Sequence, residues 1–139
     1  LLCEDAYYIH AMRKYPHGTK FYITTDTPSV FPKEKYTEFN YEMIPGDEIR
    51  AIQWMARCGG GGIISNSSFS WWPAWILKQR VQYQKWRNIH FIAPIHWANI
   101  RARTDPRYEY FTKQDYSGFY LYLDDVECIS PYANELSSM

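Results

Sequence analysis

Four consecutive residues able to donate hydrogen bonds, Ser65-Asn66-Ser67-Ser68, stand between the β-branched pair Ile63-Ile64 and the aromatic run Phe69 to Trp75. An apolar pair, a hydroxyl-rich turn and an aromatic run, in that order, predict a buried strand leading into a helix. Pro73 is tolerated only in the first turn of the helix that follows, and Ser68 is placed at the start of that helix. Unpaired N–H groups and the positive dipole end at a helix start favour an anion, so phosphate binding is the chemistry this segment predicts. Plain helix capping by the serines is the simpler alternative.

Asp26 is the second candidate. It follows the apolar stretch Phe21 to Thr24 and falls where open α/β sheets bind ligands, just past the carboxyl end of a strand. Thr25 beside it, and His96 after the apolar segment Phe91 to Ala93, are secondary candidates. An aspartate in that place can equally cap the next turn. His10, His17, His90 and His96 have no metal-ligand spacing, and Asp124-Asp125 has no second oxygen cluster beside it, so no metal site is expected. Gly59 to Gly62 lack the pattern of a Walker-type loop and predict a flexible helix stop. Cys3, Cys58 and Cys128 are widely spaced without a C-x-x-C pair, which predicts unbridged thiols.

The elements that must position these residues read as follows. Asp5 to Arg13 carries an apolar stripe that predicts a short helix ending before Pro16 and Gly18. Lys20 to Thr24 predicts a strand, stopped by Asp26-Thr27-Pro28-Ser29, where Asp26 or Thr27 is placed to cap. Lys33 to Tyr36 predicts a short helix and Thr37 to Met43 a half-buried strand. Asp47 to Arg57 has acid at its start, base at its end and apolar residues on one face, a strong helix pattern. Ile63 to Ser65 and His90 to Ala93 predict further strands, the latter closed by Pro94. With Phe21 to Thr24 they are expected as neighbours in one parallel sheet, buried on both faces. Ala98 to Tyr110 reads as irregular, and Phe119 to Ile129 as a terminal strand or hairpin.

A chain of 139 residues, 46% apolar, is enough for one domain with a core, since chains of this size bury roughly 68–70% of their unfolded surface. Fifteen basic and fifteen acidic residues cancel, so no nucleic-acid partner is expected. No apolar run approaches the roughly 20 residues of a membrane helix, and the acidic start is unlike a signal peptide, so the chain reads as soluble. Aromatics at 19% suit sugar stacking but are first of all core material. Asn66-Ser67-Ser68 also fits the N-glycosylation pattern, and modification there would block the turn.

Asn66-Ser67-Ser68-Phe69-Ser70-Trp71-Trp72, followed by Ala74-Trp75, resembles the most recognisable motif of the α-1,2-fucosyltransferases, glycosyltransferase family 11, in which Gly usually stands in place of Pro73. Phe21 to Asp26 resembles the family's strand ending in Ser-Asp-Asp, and Ile92-Ala93-Pro94-Ile95-His96-Trp97 resembles its Ile-Ala-Pro-x-x-Trp. The likeness covers residues 1–97 and is loose over 98–139. It implies a single α/β domain with a Rossmann-like parallel sheet flanked by helices, similar to the carboxy-terminal, donor-binding half of a two-lobed GT-B enzyme. The implied reaction is inverting transfer of fucose from GDP-fucose to a hydroxyl of a galactoside or other glycan acceptor, with no metal or other cofactor. Nucleotide-sugar contacts would fall on Asp26, Asn66, Ser67, Ser68 and Phe69, with Thr25 and His96 nearby. Three departures stand against this pattern. Thr27 replaces the second acid, Ala51 or Ile52 stands where the family's helix acid would be, and the His-x-Arg-x-Gly-Asp segment that steadies the leaving diphosphate is absent. The last implies a missing amino-terminal domain. Together they leave open a non-catalytic nucleotide-sugar or glycan-binding module. The location is left open between the cytoplasm and, if an amino-terminal anchor has been removed, the Golgi lumen.

Overall fold

Helices and parallel strands alternate through the computed structural model, which describes residues 3–65, 68–84, 89–94 and 126–136. The order is α1 (Asp5–Met12), β1 (Lys20–Ile23), two single 3-10 turns (Pro28–Val30 and Lys33–Lys35), β2 (Asn40–Met43), α2 (Glu48–Met55), β3 (Gly61–Ile63), α3 (Ser68–Gln84), β4 (His90–Pro94), β5 (Val126–Ile129) and α4 (Ala133–Leu136). All strand pairs are parallel, and they form two small sheets flanked by helices, β1-β2 and β3-β4-β5. No helix among the described residues is long and apolar enough to cross a membrane.

The three-stranded sheet is the centre of the core because alternate residues of β4 feed opposite faces. Ile92, with Ile129 of β5, packs beneath Tyr7 and Ala11 of α1. Phe91 and Ala93, with Ile64, pack against Ala74 and Leu77 of α3. Cover on both faces is what a parallel sheet requires. Phe91, Ile92 and Ile129 are each almost wholly buried, and burying a side chain of this kind contributes about 1.5–3 kcal/mol. The two ends of the described chain meet at this core. Glu4 N–H donates to the Pro131 carbonyl at 3.1 Å, and the Glu4 carboxylate accepts from Ala133 N–H at 2.8 Å, capping α4.

The second sheet is shallower. In both β1 and β2, half-buried residues (Phe21, Ile23, Tyr41, Met43) alternate with exposed ones, and the exposed side carries the Lys20–Glu42 ion pair at 2.9 Å. The expectation that Phe21 to Thr24 joins the strands at Ile63 and Phe91 in one sheet is therefore corrected: β1 pairs with β2, in register Lys20↔Asn40 to Ile23↔Met43. Nor is β1 buried on both faces.

The expected helices at Asp5 and Asp47 form, and Asp47 caps α2 by accepting from Arg50 N–H at 3.0 Å, a bond worth about 1 kcal/mol. Two readings of special residues need correction. Gly61 and Gly62 are not merely a helix stop but two of the three residues of β3. Gly61 has φ of +112°, and a Cβ there would overlap the His90 carbonyl, so only glycine lets β3 approach β4 this closely. Pro73 lies sixth in α3, past the first turn, fully buried. There it cannot donate to the carbonyl four residues back. Of the segment Phe119 to Ile129, read as a terminal strand or hairpin, Val126–Ile129 is a strand parallel to β4, and residues 119–125 lie outside the described residues. Residues 98–125, including Asp124-Asp125, lie outside the described residues.

Candidate functional site

The serine turn is built by β3 running out at Ile63 and α3 beginning at Ser68. Two bonds fix its base. Ile64 N–H donates to the Ile92 carbonyl at 2.9 Å, and the buried Tyr7 hydroxyl donates to the Ile64 carbonyl at 2.6 Å. Beyond Ile64, the buried Ser70 Oγ accepts from Ser65 N–H at 3.2 Å, donates to the Ser65 carbonyl at 3.0 Å and lies 3.1 Å from Ser65 Oγ. Ser65 and Ser70 thus clasp the turn to the first helical turn of α3.

Two tyrosines of α1 support this clasp. The Tyr7 hydroxyl is held far above its usual pKa by burial, then by the neighbouring Cys3 and Tyr8, so it remains a neutral donor. The Tyr8 hydroxyl is also raised, by burial and then by Cys3, while a hydrogen bond with Ser65 pulls the other way. Neither tyrosine stood out in the sequence as a site residue. The signal was Tyr7 in the apolar stripe of α1, four residues before Ala11, a position that points into the core.

Of the predicted contact residues, Ser68 is the first residue of α3 and Phe69 the second, the latter 38% exposed. Asn66, Ser67 and His96 lie outside the described residues. Asp26 sits in an exposed bend three residues past β1. It caps nothing among the described residues. The turn there is closed by Thr25, whose Oγ1 accepts from Thr27 N–H at 3.2 Å, leaving the Asp26 carboxylate without a hydrogen-bond partner among the described residues.

No family model, curated protein or solved structure matches this chain.

The aromatics after the turn divide between two roles. Trp71 packs on the α3 side of the core, whereas Trp72 and Trp75 are 56% and 39% exposed, so the core reading fails for those two. They stand edge-to-face, with ring centroids 6.1 Å apart. No group of three or more His, Cys, Asp or Glu among the described residues could hold a metal ion. Cys3, Cys58 and Cys128 form no disulfide, and burial raises the Cys58 thiol pKa, which keeps it protonated and unreactive.

Proposed function

We propose that this chain is the nucleotide-sugar-binding domain of a glycosyltransferase of the α-1,2-fucosyltransferase type, with a Rossmann-like fold similar to the carboxy-terminal half of a GT-B enzyme. One observation carries the reading. A parallel strand ends at Ile63, and Ser68 opens a helix of 17 residues immediately after the serine turn. The positive dipole end of such a helix start suits a diphosphate. Ser68 would bind phosphate, Asp26 would contact the sugar or ribose hydroxyls, and GDP-fucose would be the donor for transfer to a glycan.

A second reading has its own observation. The Thr25–Thr27 hydroxyl turn occupies the place of the family's second acid, which favours a module that binds a nucleotide sugar or glycan without turnover. Transfer or hydrolysis of GDP-fucose by the purified chain excludes that module.

The test of the binding site is titration calorimetry with the diphosphates of guanosine, uridine and adenosine, on the parent and on Ser68→Ala. A charge-assisted bond from Ser68 predicts a loss of about 1.5–3 kcal/mol, roughly 10- to 150-fold in Kd for the guanosine nucleotide. A variant that is less stable yet binds as well as the parent makes Ser68 a helix cap only. Preference for uridine or adenosine nucleotides removes the GDP-fucose assignment.

A further inference from the structure

Trp72 and Trp75 place two indoles on the surface of α3, 56% and 39% exposed. Trp71, packed on the core beside them, meets Trp72 edge-to-face at 4.8 Å and 89° between planes, and Trp72 meets Trp75 at 6.1 Å and 76°. The exposed pair is therefore braced from the core and forms a corner, not a flat plate. Ser68, Trp72 and Trp75 follow the i, i+4, i+7 spacing wholly within α3 (Ser68–Gln84), so all three share one face of the helix. Measured along the axis from the helix start, the indoles stand about 6 and 10 Å away.

The size of this surface narrows what it can hold. At up to about 250 Å² for one tryptophan, the exposed fractions amount to roughly 240 Å² together. A stable protein partner, or a second copy of this chain, needs about 800 Å² on each side. A face that lies on an anionic bilayer adds Lys and Arg to its aromatics. The only cations in α3 are Lys78 and Arg80, the Arg80 guanidinium donates to the Ala56 carbonyl at 3.3 Å, and the net charge of the chain is zero. What matches is a small, neutral ligand with apolar faces and a polar rim. A pyranose ring has that shape: its C–H bonds line the faces and its hydroxyls the edge. An indole answers both, with an apolar face and one N–H donor.

We propose that Trp72 and Trp75 form a stacking site for a neutral, β-linked glycan. One pyranose ring lies flat on one indole while the other indole closes its edge, and the chain of sugars runs along α3 on the side of Ser68. This names the glycan side of the function proposed above and rests on that reading for the placement of a sugar near Ser68. The two fail separately, since stacking needs no nucleotide.

The probes are lactose and cellotetraose, both neutral and β-linked, titrated into the parent chain at millimolar concentration and followed by calorimetry. At least one should bind saturably. Trp72→Ala and Trp75→Ala should each lose about fivefold or more in affinity with a little-changed unfolding midpoint, and Trp72→Phe, which keeps a ring, should lose less than Trp72→Ala. Ser68→Ala should bind the sugar as the parent does. A parent that binds the sugar but no GDP refutes the nucleotide reading and upholds this one. Absence of binding by both sugars, or undiminished binding by the two Ala variants, overturns the proposal. So does a parent that ignores both sugars yet self-associates or binds neutral phosphatidylcholine vesicles through Trp72, which would make the corner a protein or membrane contact.

Discussion

Replacing Tyr7 by Phe removes one oxygen from the base of the serine turn and leaves the ring in place. The lost hydroxyl donates to the Ile64 carbonyl at 2.6 Å and only weakly to the Ile92 carbonyl at 3.5 Å, which already accepts from Ile64 N–H. Tyr7 has 0% exposure, so water cannot reach the orphaned carbonyl. An unsatisfied buried acceptor costs about 1–3 kcal/mol, more than the net worth of an ordinary hydrogen bond. With a urea slope of about 1–3 kcal/mol per molar, the unfolding midpoint should fall by roughly 1 M, and Tm by roughly 3–10 °C. Tyr7→Ala adds loss of the ring and should cost about 3–5 kcal/mol in all. Denaturant unfolding followed by circular dichroism measures each. A Tyr7→Phe variant within about 0.3 kcal/mol of the parent, below the net worth of a hydrogen bond, would refute the assignment of Tyr7 as the donor that pins the turn.

Three further outcomes are expected. Gly61→Ala should destabilise by about 2 kcal/mol or more, since it forces a side chain into a left-handed backbone against the His90 carbonyl, while Gly59→Ala in open space stays within about 0.5 kcal/mol; thermal melts compare the two. Ser70→Ala should cost about 1–3 kcal/mol by leaving the Ser65 N–H and carbonyl without their partner, read by the same melts. The Glu127 carboxyl pKa is lowered, by the Lys14 hydrogen bond first and the His90 bond next. Its contribution is therefore complete above the ordinary carboxylate range near about pH 4 and is lost as pH falls through the depressed value. Glu127→Gln should flatten the acid side of the curve of Tm against pH, and an unchanged acid limb would count against that pairing.

Helices α1 and α2 were legible because a 3.6-residue stripe and an acidic cap are local signals. Strands β1 and β2 were legible as elements, but their partnership was not, since pairing depends on where separate segments meet and each apolar run is equally willing to join another sheet. Gly61 and Gly62 read as breakers because glycine lacks strand propensity, whereas close approach to His90 overrode it. Pro73 was expected in the first turn of its helix and instead lies sixth in α3, fully buried. The four-residue helix α4 is too short to carry a period. At the site, the serine run marked the turn, but the clasp between Ser65 and Ser70 and the brace from Tyr7 are tertiary.

The meeting of Glu4 with Pro131 and Ala133 sets an order of events during synthesis. Helix α1 emerges from the ribosome before the strands it covers, and Ile92, Ile129 and the residues that close over its amino-terminal end arrive about 90 to 130 residues later. At translation rates of about 5–20 residues per second, that interval is on the order of ten seconds. Throughout it Tyr7 and Ala11 have no core to enter, so the nascent chain presents the face that later seals the serine turn as uncovered apolar surface. A holdase that recognises such surface would meet the nascent chain at α1, and its release would coincide with the arrival of β5.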